Sequence, residues 1–192
     1  MSKVLYVMDY DDKTHYTYNI TEDTVIYHYL VDSSSTVDVN MVTEGVTLYY
    51  YYNTINYKNN SFSIKVNHLK DNTHSELFNH GVNVGNNKLD FFVEGIVPKD
   101  SEKCICNQEN QIINMNEGKS TVCPVLLIDN YDVDSNHGAY IGKFSEESVF
   151  YMLSRGIPRK DANQLLLKGF LVNSDSIEMS QIDLFLREIK RL

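Results

Sequence analysis

Residues 61–66 read Ser-Phe-Ser-Ile-Lys-Val, and apolar side chains occupy every second position of this run. Successive side chains of a β-strand point to opposite faces of the sheet, so Phe62, Ile64 and Val66 share one face. The run therefore predicts a strand with one buried face and one polar face.

Similar runs, rich in β-branched and aromatic residues, recur along the first 144 residues of the chain. They lie at 3–8, 24–31, 36–42, 46–52, 61–66, 89–97, 111–115 and 122–128. Turn-forming residues separate them at 11–12, 33–35, 59–60, 85–87 and 116–118. Runs of this length between such turns predict an all-β region. Because their spacing is irregular and no short repeat is visible, a sandwich and an imperfect β-solenoid both fit.

A tyrosine-rich tract, LYYYYN, occupies residues 48–53. We interpret it as a strand that carries aromatic rings on both faces and is covered on each side. Rows of tyrosine also form binding surfaces, but the structural interpretation is favoured because tyrosine is a strong strand former.

Helix signals replace strand signals after Phe144. Ser145 precedes two glutamates, which is typical of an N-cap followed by an acidic first turn. Val149, Met152 and Leu153 then recur at helical spacing, and Gly156 predicts the end of this first helix.

Two more helices are predicted towards the end of the chain. Pro158 suits the first turn of the second helix. Its expected buried stripe, at spacings of three and four, is Ala162, Leu165, Leu166, Gly169 and Phe170. A third helix is expected after residues 173–175, with the stripe Ile182, Phe185, Ile189 and Leu192. These three amphipathic helices form a small appendage that must pack on the β body, on itself or on a partner.

Composition narrows the functional classes. The chain of 192 residues has 17 basic and 26 acidic side chains, a net charge of −9 and a pI near 5.0, which argues against a nucleic-acid-binding protein. No apolar run is long enough to cross a bilayer, and the first residues do not form a signal peptide. We therefore expect a cytoplasmic protein, in which the three cysteines are reduced thiols.

The densest polar cluster lies at residues 129–138 and contains Asp129, Asp132 and Asp134. A calcium loop that starts at Asp132 would need Gly and Glu where His137 and Lys143 stand, which excludes an EF-hand. The carboxylates could serve as the acid and base of a carbohydrate-cleaving β-solenoid enzyme. A solvated turn before the helices is the favoured interpretation.

Three cysteines form a candidate metal site. Cys104 and Cys106 are two residues apart, so in a strand both side chains point to one face. With Cys123 they offer soft ligands for iron or zinc. The pattern lacks paired C-x-x-C knuckles, and a free cysteine often acts as a small core residue, so both roles stay open.

Four histidines, His68, His74, His80 and His137, are scattered over the β region. A single histidine is more often a structural residue than a ligand. No nucleophile elbow, Walker A, dinucleotide-binding or zinc-protease motif occurs. From the residues alone we therefore expect no enzyme.

Two stretches near the end of the chain resemble one known family. Residues 137–144 read HGAYIGKF and residues 150–157 read FYMLSRGI. Together with the A-x-x-L-L segment at 162–166 and Gly169-Phe170, they resemble the C-terminal signature of the SufB/SufD family, the scaffold subunits of the Suf iron–sulfur cluster assembly machine. Looser similarity extends upstream through Asn67-His68-Leu69, Gly95-Ile96 and residues 108–111, so the resemblance covers roughly residues 60–192.

The resemblance implies a right-handed parallel β-helix followed by a helical C-terminal domain. It implies domains at 60–144 and 145–192, and leaves residues 1–59 as a β region that either completes the first coils or forms a cap. It also implies a complex with a SufB-type subunit, or a homodimer, and with the SufC ATPase, which docks on the C-terminal helices. The expected docking residues are Phe150, Tyr151, Arg155, Leu166 and Phe170.

Details of the resemblance indicate a short SufD-like member. Gly138 follows His137, whereas SufB-like members place Glu there. Glu109 stands near the position of the SufB scaffold cysteine, and Ser135 stands where many relatives have Cys. The chain is also expected to lack the N-terminal helical domain of its relatives. The resemblance makes His137 the candidate for the cluster-forming interface, since neutral imidazole binds iron.

The sequence thus predicts a non-catalytic, SufD-like assembly subunit that meets, at most, a transient iron–sulfur cluster. Two alternatives stay open at this point. In one, the chain holds a cluster or metal itself through Cys104, Cys106 and Cys123. In the other, it is a carbohydrate-active enzyme.

Overall fold

A computed structural model describes residues 2–9, 14–172 and 182–192. Within these residues, eleven strands precede three helices. The strands are β1 Lys3–Asp9, β2 His15–Ile20, β3 Thr24–Val31, β4 Ser35–Met41, β5 Thr47–Asn56, β6 Asn60–His68, β7 His74–Asn83, β8 Lys88–Val97, β9 Cys104–Asn114, β10 Lys119–Ile128 and β11 Val133–Gly142. The helices are α1 Glu146–Ser154, α2 Arg159–Leu171 and α3 Asp183–Arg191.

The strands form two parallel sheets that the chain visits in turn. Sheet A has the order β1-β3-β5-β7-β9-β11, and sheet B has the order β10-β8-β6-β4-β2. Each strand therefore pairs with the next strand but one, which makes successive coils of a β-solenoid. Lys3 pairs with Thr24, whereas Glu76 pairs with Asn107, so coil length is not constant. This explains why no repeat is visible in the sequence.

The parallel β-helix implied by the resemblance, with helices after it, is confirmed, and the sandwich is excluded. Sheet A and sheet B enclose an apolar interior. Phe62, Ile64 and Val66 are all fully buried in it, as the alternation at residues 61–66 predicts. The described strands of residues 1–59 belong to the same two sheets and form the first coils.

The tyrosine tract lies in β5, and its side chains alternate between the solenoid interior and the outer face of sheet A. Tyr50 and Tyr52 are buried in the interior, where the ring of Tyr52 stacks on Phe62. Tyr51 lies on the outer face of sheet A, in an aromatic ladder whose neighbouring ring centroids are 5.0–5.4 Å apart. The ladder consists of Tyr6, Tyr27, Tyr51 and Phe78.

Buried asparagines also form ladders along the coils. Asn56 Nδ2 donates to Asn83 Oδ1 at 2.8 Å, and Asn83 Nδ2 donates to Asn114 Oδ1 at 3.3 Å. Buried amides need such partners because an unpaired polar group in the interior is costly.

Three strands were not predicted from the sequence: β2, β7 and β11. Their polar residues, such as Asn79 and His80 in β7, mask the expected alternation. The turns predicted at 33–35, 85–87 and 116–118 separate strands as expected, whereas the turn predicted at 11–12 lies outside the described residues.

The first helix matches its prediction. Ser145 is the N-cap of α1, and its side chain accepts a hydrogen bond from the Ser148 N–H. Gly156, with a φ of 81°, follows the C-cap residue, Arg155. This positive φ suits glycine, which has no Cβ to clash with the backbone.

The stripe predicted for α2 is partly wrong. Ala162 is buried as expected, but Leu167 and Leu171 are its buried leucines, and Leu165 is 50% exposed. α2 lies on the outer face of sheet A, where the Phe170 ring stacks on His80 with ring centroids 4.7 Å apart. Leu167 and Leu171 are buried in the same contact region.

The stripe predicted for α3 is confirmed in its main contacts. Ile182, Phe185 and Ile189 are buried, and the ring of Phe185 packs against Tyr29 of sheet A. The expected start after residues 173–175 lies outside the described residues.

Candidate functional site

At the last coil, none of the described strands covers the end of the solenoid. β11 is the terminal strand of sheet A and β10 is the terminal strand of sheet B. Most β11 side chains are exposed, including Tyr140 at 49% and Ile141 at 42%. Terminal strands present unpaired backbone N–H and C=O groups that can pair with another chain. This open end is the candidate site.

His137 lies at the centre of the open end. It continues an inward-facing row, because Leu77, Gln108 and His137 occupy matching positions in β7, β9 and β11. Leu77 and Gln108 are buried, and Gln108 Nε2 donates to the Val125 carbonyl of sheet B at 3.2 Å. His137 is exposed, so its imidazole is accessible to a partner or ligand.

Gly138 opens the outer face beside His137. On the outer face of sheet A, Phe78 of the aromatic ladder pairs with Glu109 of β9, and Glu109 pairs with Gly138 of β11. A Cβ at Gly138 would meet only the Gln108 carbonyl oxygen, at 4.0 Å. A shallow cavity of about 410 Å³ lies there, lined by Glu76, Phe78, Asn107, Glu109, Asn136 and His137.

A hydrogen-bonded row forms one wall of this cavity. Glu76 Oε1 lies 2.6 Å from His74 Nε2 and accepts a hydrogen bond from Asn107 Nδ2 at 2.8 Å. Asn136 Nδ2 in turn donates to Asn107 Oδ1 at 3.3 Å. The row fixes the orientation of these side chains across three coils.

A second polar group links the cavity to α2. His80 Nε2 lies 3.7 Å from Glu109 Oε1, and the His80 ring stacks on Phe170. Burial lowers the pKa of His80 below its usual value, which favours a neutral imidazole. Sequence reasoning missed this group and the Glu76 row because their members lie on strands far apart in the sequence.

The candidate thiol ligands do not converge. Cys104 and Cys106 share one face, as predicted, and both are buried inside the solenoid, whereas Cys123 is exposed. Burial raises the pKa of Cys106 to about 11, which disfavours the thiolate that binds metals. The described residues contain no group of three or more His, Cys, Asp or Glu side chains arranged to hold a metal ion.

His68 has a structural environment. It is fully buried, with Nδ1 2.8 Å from Thr73 Oγ1 and Nε2 2.9 Å from Ser75 Oγ. Burial lowers its pKa to about 4. Its two ring nitrogens are thus occupied by hydroxyl partners inside the solenoid.

The aspartates at 129–134 belong to the turn between β10 and β11 and to the start of β11. Asp129 and Asp132 lie in the turn, where the Asp132 N–H donates to Asn130 Oδ1 at 2.9 Å, and Asp134 lies in β11. All three are exposed. The solvated turn expected for all three therefore holds for Asp129 and Asp132, whereas Asp134 is an exposed residue of a strand.

The candidate docking residues fall into two groups. Phe150 and Tyr151 of α1 are 70% and 59% exposed, and the Arg155 guanidinium lies 5.0 Å from the Tyr151 ring centroid. These three form an exposed patch, which we call the α1 patch. Leu166 and Phe170 are half-buried, and Phe170 holds α2 against the β body.

Two parallel sheets wound into successive coils, with helices on one face and an open last coil, define a β-solenoid protein. Residues 31–170 match the family model for the SufBD core domain of the SUF system for FeS cluster assembly. Because this match covers most of the chain, the protein belongs to the SufBD family.

Individual relatives support this assignment. The chain is 29% identical over 112 residues to the iron–sulfur cluster assembly protein SufD of Bacillus subtilis, covering 58% of this chain and 26% of SufD. It is 30% identical over 121 residues to the SufBD family protein ycf24 of Trieres chinensis, covering 61% and 24%. It is 31% identical over 110 residues to SufB of Bacillus subtilis, covering 56% and 23%. The matched segments span about a quarter of these relatives.

None of the helices in the described parts of the chain is long and apolar enough to span a membrane.

Proposed function

We propose that this protein is a SufD-like, non-catalytic subunit of a Suf iron–sulfur cluster assembly complex. The observation that carries the proposal is the open end of the solenoid, where two terminal strands and an exposed His137 lie within the segment that matches the family. A SufB-type subunit pairs with this end and covers Ile141, which points towards the solenoid interior but is 42% exposed. The complex works in the cytoplasm.

His137 gives this interface its chemistry. An exposed imidazole beside the unhindered Gly138 can approach a partner's ligands, and neutral imidazole is a good ligand for iron. In this proposal the cluster is cargo that passes through the interface, and His137 supplies one transient ligand to it. On the outer face of sheet A, the Glu76 row and Glu109 add polar groups to the cavity that His137 also lines.

The helical appendage docks a SufC-type ATPase through the α1 patch. Exposed aromatic and arginine side chains are enriched among residues that dominate binding energy at protein interfaces. Phe150, Tyr151 and Arg155 form such a cluster on α1. Phe170 serves the docking indirectly, because it holds α2 on sheet A, and Leu166 lies half-buried on the same helix.

Co-purification tests both contacts. The tagged chain is co-expressed with the SufB-type and SufC-type proteins of its own genome, and complexes are measured by size-exclusion chromatography with light scattering. Ile141→Lys should abolish binding of the SufB-type subunit. The matched control is Val4→Lys, because Val4 is 46% exposed on the terminal strand at the other end, and it should leave this binding intact.

The ATPase contact has its own variants. Phe150→Ala with Tyr151→Ala should release the SufC-type protein and keep the SufB-type subunit. Leu184→Ala, which changes another exposed apolar side chain (47%) of the appendage, should retain both partners. If no complex forms, or if Ile141→Lys and Val4→Lys behave alike, the proposal is wrong.

A further inference from the structure

A cavity of about 320 Å³ lies between α2 and the outer face of sheet A. This volume is at the lower end of the range for small-molecule sites. The proposed function assigns no role to this space. Its lining combines aromatic and polar side chains from β5, β7 and the end of α2, and it includes Tyr51, Asn53, Phe78, His80, Gly169 and Phe170.

Two of these lining residues belong to a row of buried polar side chains beneath the helices. Asn53 pairs in register with Tyr29 of β3 on one side and with His80 of β7 on the other. Tyr29 is 1% exposed and Asn53 is 3% exposed. Within the described residues, neither the Tyr29 hydroxyl nor His80 Nε2 has a hydrogen-bond partner. Glu109 Oε1 lies 3.7 Å from His80 Nε2, beyond hydrogen-bond length. Nor does the Asn53 amide bond to another side chain or carbonyl in this part of the chain.

The unpaired groups of this row point to a ligand. Unpaired polar groups at buried positions are rare, because each one costs free energy in the folded state. Proteins keep such exceptions mainly at functional sites. Asn53 and His80 both line the cavity, so a bound molecule can supply the partners that they lack. A bridging water needs only about 10–15 Å³ of cavity, which is far less than the space present here.

The walls of the cavity favour a flat, uncharged molecule. The rings of Tyr51 and Phe78 stack with centroids 5.0 Å apart, and Phe170 stacks on His80. Aromatic side chains bind other rings in stacked or edge-to-face arrangements. Among the described residues that line the cavity, none is acidic or basic apart from His80. Burial lowers the pKa of His80 below its usual value, which favours the neutral imidazole. The cavity therefore suits a neutral aromatic molecule and not an anion.

Gly169 leaves the cavity open on the side of the helix. It lies inside α2, although glycine is among the weakest helix formers. A Cβ at Gly169 would meet no atom within 4 Å, so no close contact requires glycine there. The missing side chain instead leaves free space where α2 faces the cavity.

We propose that this cavity binds a small neutral heteroaromatic compound whose amide-type edge bonds to Asn53 and His80. The Asn53 amide offers both a donor and an acceptor, and a neutral imidazole also offers one of each. One ring or two fused rings with such an edge, as in a nucleobase or nicotinamide, fit within the cavity. The site is built by this chain alone and does not depend on the proposed assembly function.

Binding of three named probes tests the ligand class. Nicotinamide, uracil and hypoxanthine are titrated at pH 7 into the full chain and followed by ligand-observed NMR. At least one of them should bind with a Kd of about 1 mM or tighter. Acetamide has the amide without the ring, and pyridine has the ring without the amide. Both should bind at least about tenfold more weakly than the best probe.

Asn53→Leu separates a ligand role from a structural role. The variant removes a buried amide that has no partner, so it should raise Tm while it weakens probe binding at least about tenfold. Asn56→Leu is the matched control. The Asn56 amide is also buried but donates to Asn83 Oδ1 at 2.8 Å, so its loss should lower Tm.

Gly169→Leu tests the position of the site. The variant should fold, because the space beside Gly169 is free and leucine favours a helix over glycine. Its side chain should occupy the cavity and abolish probe binding. Lys168→Leu adds the same side chain at the neighbouring, exposed position, which does not line this cavity, and it should leave binding intact.

Three results would overturn the proposal. The first is that none of the three probes binds. The second is that Asn53→Leu lowers Tm or leaves probe binding unchanged. The third is that Gly169→Leu and Lys168→Leu bind the probe equally well. Asn53→Leu and Gly169→Leu should still co-purify with the SufB-type and SufC-type proteins. Failure of probe binding and failure of complex formation are therefore separate outcomes, and each contradicts only one of the two proposals.

Discussion

The interior of the first coils and the interior of the last coils are built from different side chains. In the first coils the sheets enclose large apolar residues such as Val37, Tyr50 and Phe62, all fully buried. In the last coils the corresponding space also holds Cys106 and Gln108, and Gln108 Nε2 donates to the Val125 carbonyl at 3.2 Å. The interior of the first part is mainly apolar, whereas the interior of the second mixes apolar residues such as Phe91 and Ile112 with polar side chains and ends at the terminal strand β11.

The difference indicates that the two regions of the solenoid contribute differently, the first to stability and the last to binding. Burial of aromatic and aliphatic surface contributes most of the folding free energy, and the first coils contain most of it. The last coils present polar groups close to a surface where a partner is proposed to bind.

The largest effect is expected from the apolar interior. Phe62→Ala should lower the free energy of unfolding by about 3–5 kcal/mol, because it removes a buried ring and leaves a cavity. Urea unfolding followed by circular dichroism measures the change. Phe92→Ala is the control, because Phe92 is 45% exposed and should change stability by about 0.5 kcal/mol or less. Equal effects at both positions would contradict the assigned core.

Tight packing in the last coils should produce the next effect. A Cβ on Gly95 would overlap the Cys106 Sγ, so Gly95→Ala should cost up to about 3 kcal/mol. In a Cys106→Ala background this penalty should be clearly smaller, since the sulfur is gone. A double-mutant cycle from urea unfolding tests the coupling. Strict additivity would show that the close approach is not what requires glycine.

Acid should weaken the β body through His68, whose ring nitrogens contact Thr73 and Ser75 at the start of the later coils. Its pKa is lowered by burial from 6.5 to about 4, so the unfolded chain binds a proton at a higher pH than the folded chain does. Stability from this group is fully present above pH 6.5 and is lost as the pH falls towards 4. Between pH 7 and pH 5 the loss should be about 2 kcal/mol.

His68→Gln keeps a hydrogen-bonding side chain that does not titrate in this range, so it should remove this part of the pH dependence. Unfolding curves at both pH values for the two proteins give the difference. His15→Gln is the control, because His15 is largely exposed. A pH dependence unchanged in His68→Gln would contradict the assigned cause.

The smallest effect on folding is expected at the open end. His137→Ala should change the free energy of unfolding by about 0.5 kcal/mol or less, because the side chain is exposed. The same variant should keep the SufB-type subunit bound but reduce the cluster absorbance recovered after anaerobic reconstitution of the complex with iron and sulfide. A large loss of stability would assign His137 a structural role in place of a ligand role.

Much of the β body could be predicted because apolar residues mark most strands. The run 24–31 matches β3 residue for residue, since almost all of its side chains are β-branched or aromatic. β7 and β11 could not be found in this way. In β7 the polar residue Asn79 is fully buried, because its amide donates to Asn110 one coil later.

The candidate site was only partly predictable for the same reason. The resemblance of the surrounding motifs predicts both His137 and the residues of the α1 patch as candidates, and the structure places them on exposed surfaces. The Glu76 row was not found, because Glu76, Asn107 and Asn136 come together only when the coil lengths are known. Irregular coil lengths leave no periodic signal that would align them.

The three thiols differ in solvent exposure, which allows a fluorescent label to be attached at one position. Cys104 and Cys106 are buried, whereas Cys123 is exposed on β10. A maleimide dye will therefore attach selectively to Cys123 in the folded chain. Fluorescence from that single position will report on events at the last coil without any engineered cysteine.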